Sequence, residues 1–274
     1  MKQEDVNRSE YNRNKGRISK RRISRILLFL ILGGLLLSGC DRKGEKTELL
    51  IGAAASLEPA MEEVKVLYEK QNPGIHLSFT FASSGTIEQQ IREGAPVDVF
   101  LSAAEKQVDS LEKDELILSS SRVDLYRNEV VLIVPEDSKL EITDFKNITK
   151  ADVIALGDPE SVPVGQYAQK IFERLGIWET VYQKATLGKT VTEVSAWVSS
   201  GEADAGVVYK TDAMLGEKIR IAATAPEGEG SIAVYTGAIV KNTKAERQAV
   251  EFLAYLNTKE AEEIVSSYGF EIID

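Results

Sequence analysis

One cysteine, one histidine, seven prolines and two tryptophans in 274 residues exclude much chemistry at the outset. A lone Cys40 forms neither an intrachain disulfide framework nor a cysteine-cluster zinc site. A lone His76 rules out any HExxH metal motif. A Ser-His-Asp triad could draw only on His76, which alternates with Ile75, Leu77, Phe79 and Phe81 and so faces away from the apolar side of a strand. No Gly-x-Ser-x-Gly elbow surrounds Ser56 or Ser84. Neither a P-loop nor a dinucleotide glycine fingerprint occurs, and there is no internal repeat. These absences point away from an enzyme and from a bound cofactor. Trp178, Tyr182 and Trp197 stand at helical positions and read as packing residues.

Positive charge is scarce after the first forty residues. Residues 1–39 hold nine Lys/Arg against three Asp/Glu, which leaves a net charge of −16 on the remaining 235 residues. A body this acidic repels phosphate backbones, so nucleic acid is not an expected partner. With 43% hydrophobic and 28% charged residues, the chain has the composition of a globular protein. Its length suits one large α/β domain or two lobes.

The basic stretch Lys15–Arg25 runs into an uninterrupted apolar segment, Ile26–Leu37. Twelve residues are too few for a membrane-spanning helix, which needs roughly 20, but they suit the h-region of a secretory signal. Leu37-Ser38-Gly39-Cys40 follows and resembles a bacterial lipobox. Residues 1–39 are therefore expected to be a signal peptide. Cys40 is expected to be the lipid attachment point and residues 40–48 a charged linker, which anchors the chain to the cell membrane without spanning it.

Beyond the linker, apolar runs of strand length alternate with segments of helical spacing. Strands are predicted at Leu49–Ala53, Ile75–Phe81, Val97–Leu101, Val130–Val134, Val153–Leu156 and Ala205–Val208. Helices are predicted at Leu57–Gln71, Thr86–Glu93, Glu105–Lys113, Gly165–Leu175, Val191–Ser199, Lys244–Asn257 and Lys259–Tyr268. Such alternation implies parallel sheets with right-handed crossovers. Connections between lobes are expected near Tyr126–Glu129 and Ser231–Val234.

Four helix entries share small or hydroxyl residues and have no carboxylate at the turn: Ala54–Ser56, Ala82–Thr86, Val162–Gly165 and Gly188–Val191. Thr86 with Gln89, and Thr190 with Glu193, have capping-box spacing. The first turn of a helix leaves backbone N–H groups unpaired at the positive end of its dipole. Several such ends around one cleft would bind an anion without Lys or Arg.

Taken together, these segments resemble a known family. AAASL (Ala53–Leu57), FASSGT (Phe81–Thr86), GAPVDVFLSA (Gly94–Ala103), GDPESVPVG (Gly157–Gly165), GVVY (Gly206–Tyr209) and the closing YGF (Tyr268–Phe270) look like the signature segments of ModA-type molybdate-binding proteins. These are the extracytoplasmic receptors of molybdate ABC importers. The resemblance implies an α/β, two-lobe type II periplasmic-binding-protein fold, each lobe a mostly parallel sheet flanked by helices. Residues 49–128 and 233–274 would form lobe 1 and residues 129–232 lobe 2. It also implies a monomer that takes molybdate or tungstate in the interlobe cleft and hands it to an ABC permease with its ATPase. The metal would be held only through its oxygens. Carried over by position, the oxyanion donors are Ser56 and Ser84 through hydroxyl and backbone N–H, Val164 and Val191 through backbone N–H, and Tyr209 through its phenol. Gly85 stands where the family commonly has a third serine, which makes Ser83 the alternative to Ser84. Another tetrahedral oxyanion such as sulfate is the second reading, and a surface hydrolase a distant third.

The chemistry of the residues agrees with this resemblance. Molybdate carries no proton near neutral pH, so every partner can be a donor, whereas phosphate would call for an acceptor. None of the five positions supplies a carboxylate, and Asp158 and Asp204 read as turn and loop residues. Because neither donors nor ligand change charge, binding is expected to be flat from about pH 6 to 9.

The lipobox generates the first test. Cys40→Ala is expected to abolish incorporation of a labelled fatty acid and to release the chain from membranes or leave it uncleaved. Unlabelled wild-type protein, cleaved before another residue, would be the contrary outcome.

Overall fold

In a computed structural model, the structure describes residues 46–273. The expected signal segment, the lipobox with Cys40 and most of the linker lie outside the described residues. Among those described, no helix is long and apolar enough to cross a membrane.

The chain opens with β1 (Thr47–Ala54), α1 (Glu58–Gln71), β2 (Ile75–Ala82), α2 (Ser84–Arg92), β3 (Val99–Ser102) and α3 (Glu105–Lys113). Strand β1 is parallel to both β2 and β3, as βαβ crossovers require. Helix α1 starts with Pro59 in its first turn, where a missing N–H costs nothing. It ends at Asn72, whose Nδ2 donates to the Tyr68 carbonyl at 3.0 Å. Met61, Val64 and Tyr68 of α1 are buried against this sheet. His76 lies on the exposed face of β2 and pairs with Glu69 at 3.0 Å, a surface contact.

Next comes the long β4 (Val123–Pro135), then β5 (Ile154–Gly157), α4 (Pro163–Arg174), α5 (Trp178–Tyr182), β6 (Ala185–Gly188), α6 (Val191–Ser200), β7 (Ala205–Tyr209), α7 (Lys210–Leu215) and β8 (Ile219–Thr224). Strand β5 is parallel to β6 and β7. Helix α6 stops at Gly201, which caps it with φ +77°, a conformation that L side chains rarely adopt. The chain closes with β9 (Ile232–Ile239), α8 (Glu246–Leu256), α9 (Lys259–Ser267) and β10 (Glu271–Ile272). Phe252 of α8 packs edge-on against Tyr68, with ring centroids 5.3 Å apart.

Strand order is β2-β1-β3-β9-β4-β7-β5-β6, with β10 and β8 also paired to β4. Alternation alone implied parallel sheets, but β9, β4, β8 and β10 run antiparallel to their partners. Strand β4 is also thirteen residues long, starting seven before the expected Val130. The polar residues Asp124, Arg127, Asn128 and Glu129 hide its first half from a hydrophobicity pattern. That half pairs with β9 and β10 up to Glu129, and from Val130 onward β4 pairs with β7 and β8. Tyr126–Glu129, near which a connection between lobes was expected, lies within this strand. Helix α2 begins at Ser84, two residues before the expected Thr86. Its cap is Ser83, whose Oγ accepts from Thr86 N–H at 3.2 Å, so Thr86 starts no capping box.

Asp98, within the GAPVDVFLSA segment, is a tie rather than a surface charge. Its Oδ2 accepts from Leu50 N–H at 2.8 Å, and its Oδ1 accepts from the Thr243 hydroxyl ahead of α8. Asp98→Ala orphans both donors and is expected to cost about 1–3 kcal/mol. A lower urea midpoint with an unchanged m-value would report it.

Candidate functional site

The carboxyl ends of β1, β2, β3 and β7 and the entries to α2, α4 and α6 converge on one cavity. Such strand ends are where open α/β sheets place ligands. Its walls include Ser56, Ser83, Ser84, Ala103, Val162, Pro163, Val191 and Tyr209, and no ionised side chain lines it. The cavity is about 10 Å³, close to the least that admits a single water. Four of the five expected donors, Ser56, Ser84, Val191 and Tyr209, line it. Val164 does not, although it is fully buried one residue past the lining Pro163.

Local geometry separates the residues that have spare donors from those that do not. Ser83 is occupied as the α2 cap and also bonds the Thr86 hydroxyl at 2.8 Å. Ser84 accepts from Ala103 N–H at 2.9 Å, which leaves its hydroxyl proton available. At α4, Pro163 has no N–H, while Gly165 and Gln166 N–H groups both donate to the Val162 carbonyl at 2.9 and 3.2 Å. That leaves Val164 as the first-turn backbone donor. Val191 opens α6 behind Thr190, whose hydroxyl accepts from Glu193 N–H at 3.2 Å, and Glu193 reaches back to Lys189 N–H.

Tyr209 ends β7 with its hydroxyl buried and without a hydrogen-bond partner. Its ring meets Tyr167 and Tyr235 edge-on, with centroids 6.5 and 5.7 Å away. Burial, and to a lesser degree the neighbouring tyrosines and Asp212, push the Tyr209 phenol well above its ordinary value, so it stays a donor. A buried donor with no acceptor is costly unless something else supplies one.

Contact across the cavity is made by backbone. Gly85 N–H, in the first turn of α2, donates to the Ser161 carbonyl ahead of α4 at 3.0 Å. A Cβ at position 85 would sit 2.4 Å from that oxygen, so the close approach requires glycine.

Asp158 and Asp204 do not line the cavity. Asp158 Oδ1 accepts from Glu160 N–H at 3.0 Å, and Asp204 Oδ2 ties down Asp152 and Val153 N–H groups at 2.8 and 2.9 Å. The acid that matters is Asp212 in the first turn of α7, which no sequence motif marked. Its Oδ2 is buried without a partner, and burial pushes its carboxyl up to about 7, with backbone N–H groups only partly offsetting this. Asp212 and Ser56 share the walls of a second, adjoining cavity of about 380 Å³. Among the described residues, no cluster of His, Cys, Asp or Glu could hold a metal ion.

Residues 49–271 match the family described as bacterial extracellular solute-binding proteins. The chain is 40% identical over 242 residues to YvgL of Bacillus subtilis, named as a candidate ABC transporter substrate-binding lipoprotein, covering 86% of this chain and 93% of YvgL. It is 35% identical over 228 residues to the molybdate-binding protein ModA of Haemophilus influenzae, covering 81% and 89% of the two chains. The solved periplasmic molybdate-binding protein of Azotobacter vinelandii superposes with a TM-score of 0.72 at 22% identity, over 82% of this chain and all of that one, which shows a shared fold.

The buried acid generates a stability test. Asp212 binds its proton more tightly folded than unfolded, where its pKa is the ordinary 3.8. Its contribution is complete below about pH 4 and is lost as pH rises through about 7. Asp212→Asn is therefore expected to gain on wild type by about 1.4 kcal/mol per pH unit between pH 5 and 7, levelling off above. Urea unfolding at several pH values measures this, and a pH-independent difference would contradict it.

Proposed function

Because the chain belongs to the bacterial extracellular solute-binding proteins of the ModA type, we propose that it captures molybdate or tungstate and delivers it to the permease of an ABC transporter. The observation that carries this reading is a cavity walled by neutral residues and lined by Tyr209, whose hydroxyl is buried without a hydrogen-bond partner. Similarity to the Haemophilus influenzae molybdate-binding protein favours this oxyanion over others. In this reading Ser56 and Ser84 give hydroxyl and backbone protons, Val164 and Val191 give backbone protons, and Tyr209 gives its phenol proton. Neutral donors at helix starts stabilise a dianion without the desolvation cost of a buried ion pair.

The cavity as it stands is smaller than a tetrahedral oxyanion, so entry requires its walls to part. Residues 49–128 with 233–274 form one lobe in this account, and residues 129–232 the other. Strands β4 and β9 serve as the hinge, because β4 changes partners at Glu129 and Val130. The Gly85–Ser161 contact marks closure, and the closed form is what the permease would read before its ATPase drives transfer. Cys40 anchors this monomeric receptor to the outer face of the cell membrane, a placement supported by the lipobox and by similarity to a chain named as a lipoprotein.

Asp212 alters the flat pH profile expected from the donors alone. Once ionised it repels a dianion beside Tyr209 and Ser56, so affinity should be highest below about pH 7 and decline above it.

Competition calorimetry with molybdate, tungstate, sulfate and phosphate tests the assignment. Molybdate and tungstate should bind far more tightly than the other two. Ser84→Ala should weaken molybdate about 10- to 150-fold, the worth of one hydrogen bond to a charged group, and Ser83→Ala much less. Tyr209→Phe should weaken binding while the fold survives. Sulfate binding as tightly as molybdate would overturn the substrate and leave the fold untouched.

A further inference from the structure

A chain of buried polar side chains runs from the crossing strands into the cavity, and none of its members beyond Ser56 belongs to the expected donor set. Asn128 lies on β4, Thr211 on α7, and Tyr235 on β9. All three are at least 97% buried. Asn128 Nδ2 donates to Thr211 Oγ1 at 2.8 Å and, with its other proton, toward Tyr235 Oη at 3.5 Å. Tyr235 Oη and Ser56 Oγ are 2.8 Å apart.

The donor inventory constrains the direction of this chain. An amide nitrogen only donates, so Tyr235 Oη accepts from Asn128. The 2.8 Å contact permits either direction, and with Asn128 donating to the Tyr235 oxygen the phenol's own proton is available to the Ser56 oxygen. Ser56 Oγ, once it accepts, keeps its proton for a third group. The cavity is where that group would sit, since Ser56 lines it. Burial holds the Tyr235 phenol well above its ordinary value, so it does not lose the proton it donates.

We propose that Tyr235, oriented by Asn128, is a positioning residue that points the Ser56 hydroxyl proton at the bound oxyanion. This rests on the oxyanion-receptor reading above. A free serine hydroxyl rotates among several acceptors, and a donor already committed to its oxygen removes the wrong orientations. Successive bonds also polarise one another, which makes Ser56 a better donor. Because Asn128 and Tyr235 lie on β4 and β9, the strands proposed as the hinge, the donor is set by the same elements that would bend on closure.

Molybdate titration calorimetry on the purified full chain tests this with four proteins: wild type, Ser56→Ala, Tyr235→Phe and the double variant. Ser56→Ala should weaken binding about 10- to 150-fold, and Tyr235→Phe about two- to tenfold, the range of one ordinary hydrogen bond. The double variant should bind like Ser56→Ala alone, because Tyr235 acts only through Ser56. A merely structural tyrosine would weaken the Ser56→Ala background by the same factor as wild type, which would overturn the proposal. Tyr235→Phe binding as tightly as wild type, or more tightly, would overturn it too, since that would mean the Ser56 proton had been spent on the phenol. Should Tyr235→Phe fail to melt cooperatively, Asn128→Ala takes its place with the same expectation, a loss in the Ser56 background and none in the Ser56→Ala background. Wild type that binds molybdate unaffected by Ser56→Ala refutes this proposal alone. Wild type that binds no molybdate refutes the receptor reading on which it rests.

Discussion

The change of partners along β4 is the constraint on which the rest of the structure depends. Up to Glu129 its backbone groups are satisfied by β9 and β10, and from Val130 by β7 and β8. A strand cannot leave its amides unpaired in a buried sheet, so both sets of neighbours are held in register by one continuous segment. The carboxyl ends of β1, β2, β3 and β7 meet at one cavity. Without that register the two groups of helix starts would have no common cavity.

What gathers there is a set of donors whose own acceptors are missing or limited. Ser83 is used up in capping α2, Gly165 N–H is used up on Val162, and Pro163 has no proton to give. Ser84 and Tyr209 are left at the cavity, with Val164 N–H buried one residue beyond its lining. The burial that makes an unpaired Tyr209 hydroxyl costly also keeps it protonated, and it raises Asp212 to the point where that acid is neutral at mildly acidic pH. One cause, exclusion of water, thus sets the state of both the donor and the acid beside it.

Glycine contributes next to the cavity, between residues adjoining its lining. Gly85 brings the α2 backbone against the Ser161 carbonyl, a separation that any side chain would prevent. The contact joins helix entries that sit 76 residues apart in the chain, so it is a property of the assembled fold and not of either turn.

Much was legible before any coordinates. Strands β1, β2 and β5 and helices α1, α3, α6 and α9 follow from periods of two and 3.6 residues, because burial on one face is a local pattern. Of the residues that line the cavity, Ser56, Ser84 and Tyr209 sit in short segments with a recognisable family form, while Val191 was reachable only as the start of a helix. The first half of β4 was missed because its exposed face is charged, and α2 was misplaced because Ser83, not Thr86, found the unpaired N–H. Asp212, Asn128 and Tyr235 carried no signal, since an acid after a strand, an amide in a polar stretch and a tyrosine in an alternating run are each unremarkable alone. Sequence by itself determined most of the elements, the acidic body and the family, all of which are local or additive properties. Only the tertiary structure decided which hydroxyls keep a proton to give, which acid loses its water and where glycine is obligatory, because each depends on what distant parts of the chain bring within hydrogen-bonding distance.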